Sequence, residues 1–144
     1  MAIKQSSDAH RGSPRPRNPY EIKELTPYAF EAFVAELLRL DGCPQVAMVG
    51  GSGDDGIDVR ATSASGLPVV VQCKHVSSKI PPRQLREFLG AAMNEYLVGV
   101  AIFVTSDYFS SNARDFGQRH GIILVDMQRL VSWMRRDWSP LTGR

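Results

Sequence analysis

The chain has 144 residues, of which 43% are hydrophobic and 22% are charged, as in a single soluble globular domain. Residues 1–19 carry a charge of +3 (four basic and one acidic side chain), so the other 125 residues contribute −1 to the net charge of +2, which does not by itself indicate a nucleic-acid-binding protein. No apolar run approaches the ~20 residues of a membrane helix, no signal peptide is visible, and the two cysteines form no CxxC pair, so we expect a cytoplasmic protein without membrane contact.

Residues 1–19 include Pro14, Pro16 and Pro19 and have almost no apolar side chain. This composition predicts a disordered basic tail that is rich in proline, arginine and serine. Residues 20–144 are predicted to form one domain.

The first predicted helix begins at Thr26-Pro27, an N-cap followed by proline at the first helical position, and ends at Asp41-Gly42. Its apolar side chains recur with the helical period: Phe30, Phe33, Val34, Leu37 and Leu38. Glu31 lies at the edge of this apolar face and is predicted to point inward over a sheet, whereas Glu36 is predicted to face solvent.

Strands and helices then alternate along the chain. The pattern predicts a strand over residues 45–49, a hairpin over 57–62 and 68–75, a helix opened by Pro81-Pro82 and extending past Met93 to Leu97, a strand over 98–105, a helix from Ser106 or Asp107 to Arg119, a strand over 122–125 and a helix over 127–138. The order αβββαβαβα predicts an α/β fold with a mixed central sheet flanked by helices.

The hairpin carries the polar residues of most interest. If it is centred near Ser65, residues whose numbers sum to about 130 face each other, so Asp58 is predicted to lie opposite Gln72. Because side chains alternate along a strand, Gln72 and Lys74 share one face, and His75 lies on the other as a core or edge residue. An acid, an amide and an ammonium group would then converge in a site suited to a metal ion and a phosphate.

A glycine-rich segment precedes the hairpin, and its spacing from Gly51 to Gly56 matches the dinucleotide-binding pattern GxGxxG. That motif must follow a strand and open a helix, but here a strand follows it. Asp54 and Asp55 would also repel a pyrophosphate. We therefore predict no nucleotide cofactor.

Five segments form a pattern that extends over most of the chain: Phe30-Glu31, the Gly-Ser-Gly-Asp-Asp-Gly-Ile-Asp run that ends at Asp58, Gln72-Cys73-Lys74, Phe103-Val104-Thr105-Ser106 and Asn112-Ala113. This pattern resembles the Mrr-like catalytic domain of the PD-(D/E)XK nuclease superfamily, which includes modification-dependent (type IV) restriction endonucleases. The resemblance extends from about Pro27 to Trp138 and implies a restriction-endonuclease-like fold.

The resemblance also implies site residues. Asp58, Gln72 and the Cys73 backbone carbonyl would bind Mg²⁺, for which Mn²⁺ could substitute, and Gln72 occupies a position where most relatives have Glu or Asp. Lys74 would orient or activate the attacking water, and Glu31 would be the supporting helix carboxylate. Candidate contacts to the DNA backbone are Lys79, Arg83, Arg86 and Arg114.

The function that follows from the resemblance is metal-dependent hydrolysis of DNA phosphodiester bonds in restriction or defence. Nothing in the sequence resembles a base-reading element, so target recognition is expected from a partner subunit or from a homodimer or larger assembly. Two alternatives are an inactive DNA-binding or assembly module with the same fold and a Holliday-junction resolvase. A resolvase usually presents a broad basic surface, which this near-neutral domain lacks.

Overall fold

The structure is a computed structural model that describes residues 15–49, 56–95 and 99–144. Three sequence predictions fall at least partly outside these ranges: the tail over residues 1–14, most of the GxGxxG segment, and the inward positions of Tyr96 and Leu97. Residues 15–19, predicted as part of the tail, are described: Pro16 is buried, and a helix begins at Pro19 with Asn18 as its N-cap.

The described residues form five helices and five strands. In chain order they are α1 (Pro19–Lys23), α2 (Pro27–Leu40), β1 (Gln45–Met48), β2 (Val59–Thr62), β3 (Pro68–Lys74), α3 (Pro82–Glu95), β4 (Val100–Thr105), α4 (Ser111–His120), β5 (Ile123–Val125) and α5 (Met127–Met134). The predicted order is confirmed, with α1 added before it. None of the helices in the described part of the chain has the length and apolar character of a membrane span.

The strands form one mixed sheet in the order β1-β2-β3-β4-β5. The first three strands are antiparallel neighbours, and β3, β4 and β5 run parallel. The predicted hairpin register is confirmed from Val59, which pairs with Val71, to Thr62, which pairs with Pro68. The turn includes Gly66, whose φ of 92° suits glycine.

Helices cover both faces of the sheet and enclose two apolar clusters. On one face, α2 and α5 pack on alternate residues of β3, namely Val69, Val71 and Cys73. On the other face, α3 and α4 pack on Val70 and Phe103. Side chains at even-numbered positions of β3 therefore face α3 and α4, while those at odd-numbered positions face α2.

Three helix predictions were wrong in detail, and one of them is the closing helix, which was predicted to reach residue 138 but ends at Met134. The helix predicted to begin at Ser106 or Asp107 begins at Ser111 with Ser110 as its N-cap, because residues 106–110 form a loop that pairs Phe109 with Ile80. Met93, predicted to face inward on α3, is 53% exposed. Leu85 and Phe88 are buried as predicted, and Ala92 takes the inward position in the last turn.

Candidate active site

Asp58 lies where the antiparallel pairing between β2 and β3 ends. The predicted pairing of Asp58 with Gln72 is not part of the register, which stops at Val59 and Val71. Instead, the Asp58 backbone N–H donates to the Val71 carbonyl (2.8 Å), and Asp58 Oδ2 accepts the Cys73 backbone N–H (2.7 Å). The Asp58 carboxylate thus takes the place of a backbone acceptor, and this contact fixes it against the end of β3.

Gln72 and Lys74 share the face of β3 that carries Val70, as predicted. The Gln72 Oε1 atom is buried and has no hydrogen-bond partner among the described residues. The Gly56 backbone approaches it so closely that a Cβ at Gly56 would lie 3.6 Å from Oε1. Buried amide oxygens are normally hydrogen-bonded, so an unpaired one at this position is a candidate ligand atom.

Glu31 extends from α2 towards the same place, on the side predicted from the helical period. Burial and the nearby Asp58 carboxylate raise the pKa of Glu31 from 4.5 to about 7. Burial also raises the pKa of Asp58, an effect that the Cys73 N–H and the Lys74 ammonium oppose. Asp58 therefore interacts with both groups: with the acid from the α2 side and with the lysine from β3.

The donor atoms fit a hard divalent cation such as magnesium, which prefers oxygen ligands. Asp58 supplies carboxylate oxygen and Gln72 supplies its unpaired amide oxygen. In an extended strand, the N–H and C=O of one residue point the same way, so the Cys73 carbonyl faces the side where its N–H meets Asp58. Burial raises the pKa of the Cys73 thiol well above its ordinary value, so the backbone oxygen is the candidate ligand atom at this residue.

Within the described ranges, the carboxylates at this candidate site are those of Glu31 and Asp58. Among the described residues, no three His, Cys, Asp or Glu side chains are grouped so that they could bind a metal ion. The suitability of this site for a divalent cation therefore depends on an amide oxygen and a backbone carbonyl oxygen in addition to the carboxylate, and not on a cluster of acidic side chains.

The polar residues around Lys74 are held by internal contacts. His75 faces α2, where its ring stacks on Phe30, so its prediction as a core or edge residue is confirmed. Thr105 and Ser106 are buried; Thr105 Oγ1 accepts the Asp107 N–H (3.0 Å), and Ser106 Oγ contacts His75 (2.8 Å). The Lys74 ammonium interacts with the charge of Asp58, and it has no hydrogen bond within the described part of the chain.

The four candidate DNA contacts are exposed, and three of them have contacts within the protein. Arg83 pairs with Glu87 (3.4 Å), and Arg86 lies 6.0 Å from the centre of the Phe116 ring. Arg114 donates to the Phe109 carbonyl (2.9 Å), and Lys79 lies in the linker before α3. Each guanidinium has five donors, so these contacts leave others for phosphate.

A pocket with a volume of about 630 Å³ lies away from these residues, at the outer edge of the sheet beside β1. It is lined by residues such as Arg39, Cys43 and Arg60, and none of the four predicted catalytic residues contributes to it. The polar groups that can perform chemistry are at the end of β3, so we place the candidate site there.

The chain is similar to known proteins over most of its length. Residues 22–134 match a family model described as restriction endonuclease. The chain is 36% identical over 130 residues to the type IV methyl-directed restriction enzyme EcoKMrr of Escherichia coli (strain K12). The aligned region covers 85% of this chain and 42% of the Escherichia coli protein. The chain therefore spans less than half the length of this relative.

A solved structure shares the fold. The MspJI restriction endonuclease, in complex with a 27-mer oligonucleotide, matches 81% of this chain and 29% of that one with a TM-score of 0.56. Its sequence identity of 22% supports a statement about architecture alone.

Proposed function

Because the chain belongs to the Mrr-like catalytic-domain family of restriction endonucleases, within the PD-(D/E)XK nuclease superfamily, we propose that it hydrolyses phosphodiester bonds in DNA with the help of a divalent metal ion. The observation that carries this proposal is the hydrogen bond from the Cys73 N–H to Asp58 Oδ2 (2.7 Å), which fixes this carboxylate at the end of β3. Its charge interacts there with Glu31 and Lys74, and the buried Gln72 Oε1 on the same strand has no partner among the described residues.

Each residue has a distinct proposed role. Asp58, Gln72 and the Cys73 carbonyl hold Mg²⁺, or Mn²⁺ in its place; when bound, the ion polarises a phosphoryl oxygen and acidifies water. Lys74 orients the attacking water and stabilises the negative charge that develops on the phosphate. Glu31, whose pKa is about 7, can accept a proton near neutral pH.

Recognition of the DNA target is proposed to come from a partner subunit or from assembly of the chain with itself. The exposed cations Lys79, Arg83, Arg86 and Arg114 would contact phosphates, and such contacts position DNA without reading its sequence. The Escherichia coli relative is named as a methyl-directed enzyme, so methylated DNA is the first substrate to test.

The experiment is a plasmid cleavage assay on methylated and unmethylated supercoiled DNA with Mg²⁺, Mn²⁺ or EDTA. The wild type is compared with Asp58→Asn and Lys74→Ala, and Asp115→Asn on the exposed face of α4 is the matched control. We expect metal-dependent cutting that falls at least ~10²-fold in the first two variants and is unchanged in the control.

Other results would change the assignment. Binding of plasmid without cutting in either metal would indicate the inactive module, and cutting confined to four-way junctions would indicate a resolvase. If both Asp58→Asn and Lys74→Ala still cut DNA at the wild-type rate, the catalytic site does not lie at the end of β3.

A further inference from the structure

His75 directly follows Lys74 and has three contacts with other parts of the chain. Its ring is parallel to that of Phe30, with 4.7 Å between the ring centroids and 8° between the planes. Nε2 lies 2.6 Å from the Leu25 carbonyl oxygen, and Nδ1 lies 2.8 Å from Ser106 Oγ. A carbonyl oxygen only accepts, so Nε2 carries a ring hydrogen and donates to Leu25. The Ser106 hydroxyl lies between Nδ1 and the Val76 carbonyl oxygen, to which it donates (3.4 Å).

Two of these contacts attach the start of α2 to the end of β3. Leu25 immediately precedes Thr26, the N-cap of α2. Phe30 immediately precedes Glu31, and His75 immediately follows Lys74. The stacked rings therefore join the direct neighbours of the two residues that interact with Asp58 from opposite faces of the sheet.

The third contact holds the backbone at Lys74. The Ser106 N–H donates to the Lys74 carbonyl (3.2 Å), while the Ser106 hydroxyl contacts the His75 ring. Ser106 is 1% exposed, and it directly follows Thr105, which pairs with Lys74 across the parallel strands. One buried serine thus holds the chain at Lys74 and at the next residue.

No hydrogen bond or ion pair joins Glu31 to Lys74 in the part of the chain that the structure describes. Their separation must therefore be set by the packing of α2 against β3. Catalysis is sensitive to such distances, because a displacement of about 1 Å can cost ~10²-fold in rate. A contact that fixes α2 and β3 at this point has a direct influence on the site.

We propose that His75 is a positioning residue, whose ring sets Lys74 in its place relative to Glu31 and Asp58. Both of its ring nitrogens contact other protein groups, Leu25 and Ser106, so it acts through Lys74 and not on the substrate. The proposal rests on the proposed nuclease function for its effect on rate, but its structural part can be measured without any activity.

The first test measures cleavage under single-turnover conditions with saturating Mg²⁺ and plasmid. His75→Phe keeps a ring on Phe30 and removes both hydrogen bonds, whereas Phe30→Leu removes the stacking from the α2 side. The matched control is His120→Phe, because exposed His120 also lies against a phenylalanine, Phe116 (4.3 Å between centroids). Melting temperature and circular dichroism confirm that each variant is folded at the assay temperature.

We expect His75→Phe and Phe30→Leu to cut about 10- to 100-fold more slowly, as is usual for residues that orient catalytic groups. DNA affinity, measured in Ca²⁺, should change less than about twofold, and His120→Phe should match the wild type. Ser106→Ala combined with His75→Phe should be little slower than His75→Phe alone, because the two changes break the same contact. A wild-type cutting rate in folded His75→Phe would overturn the proposal.

The second test measures amide hydrogen exchange by NMR in metal-free protein, so it does not depend on nuclease activity. His75→Phe should speed exchange about tenfold or more at Cys73 and Ser106, whose N–H groups bond to Asp58 and to Lys74. Exchange at Val70, further along β3, should stay within about twofold. An even rise across the sheet would show a general effect on stability and would overturn the proposal.

The two measurements separate the failures. If the wild type does not cut DNA but exchange rises locally at Cys73 and Ser106, the proposed function is wrong and His75 still fixes the end of β3. If the wild type cuts and exchange does not rise locally, the proposed function stands and the role of His75 is refuted.

Discussion

Glu31→Gln should stabilise the protein at alkaline pH while it impairs the site. The wild-type carboxyl has its pKa raised from 4.5 to about 7 by burial and by Asp58. Between these two pH values the folded state binds more protons than the unfolded state, so the stability of the wild type falls as pH rises through this window. Above pH 7, the folded wild type carries an unfavourable charge that glutamine lacks.

The size of the effect follows from the shift. One pKa unit corresponds to about 1.4 kcal/mol, so a shift of this size sets an upper limit of about 3 kcal/mol. The Glu31 side chain is half-buried, and solvent screens part of the charge. We therefore expect Glu31→Gln to raise the free energy of unfolding by about 1 kcal/mol at pH 8.5, or the melting temperature by about 4 °C.

The assay is thermal unfolding in EDTA at pH 4.5, 7 and 8.5. The matched control is Glu36→Gln, which lies on the same helix but pairs with Arg39 (3.4 Å) away from the site. The gain for Glu31→Gln should vanish at pH 4.5, where the wild-type carboxyl is protonated in the folded state. A gain of equal size at pH 4.5 and 8.5, or a gain in Glu36→Gln as well, would refute the electrostatic explanation.

Two further predictions concern the metal ion and the fold. Gln72→Glu should raise the affinity for Mg²⁺ in the absence of DNA at least about tenfold, because it adds a carboxylate where the buried Oε1 has no partner among the described residues; calorimetric titration with equal affinities would contradict this. Asp41→Ala should lower the free energy of unfolding by about 3 kcal/mol in urea, because Asp41 accepts hydrogen bonds from Trp133 (2.9 Å), Arg136 (2.8 Å) and Ser139. The fraction that remains folded should still cut DNA, and a loss of cutting in folded Asp41→Ala would contradict its purely structural role.

The parts of the fold that the sequence predicts well are those fixed by local chemistry. Thr26 caps α2 through the Ala29 N–H (3.1 Å), and Gly121 ends α4 with a φ of 72°. The position of the turn fixes the hairpin register, because it determines which residues of the two strands lie opposite each other. A turn centred near Ser65 places Val59 opposite Val71, as observed. Short-range patterns were sufficient for these elements.

The parts that could not be predicted depend on contacts between distant residues. Helix α1 has a single buried residue, Ile22, so it has no apolar period to detect. It is held by Lys23, which donates to the Val76 carbonyl (2.8 Å) and pairs with Asp107 (3.6 Å). The true N-cap Ser110 was missed for the same reason, since its loop is set by the bridge between Ile80 and Phe109.

The contacts of Asp58 could not be predicted from the sequence. The expected side-chain pair of Asp58 and Gln72 rested on extending the strand register by one residue. The Asp58 carboxylate instead binds the Cys73 N–H, and this contact holds it between Glu31 and Lys74. The pattern of apolar residues does not show that an aspartate side chain replaces a backbone acceptor at the end of a strand, so this contact could not be predicted.

The chemistry of the site gives a physical reason for an amide at position 72. Burial raises the pKa of both Glu31 and Asp58, and the charge of Asp58 raises that of Glu31 further. A third carboxylate beside them would add repulsion that only a bound cation could offset, so Gln72 reduces the cost of folding without metal. We expect the amide also to weaken metal binding in the absence of DNA, so that substrate phosphates complete the coordination. Metal binding and DNA binding should therefore strengthen each other, which would restrict hydrolysis to the complex that contains both.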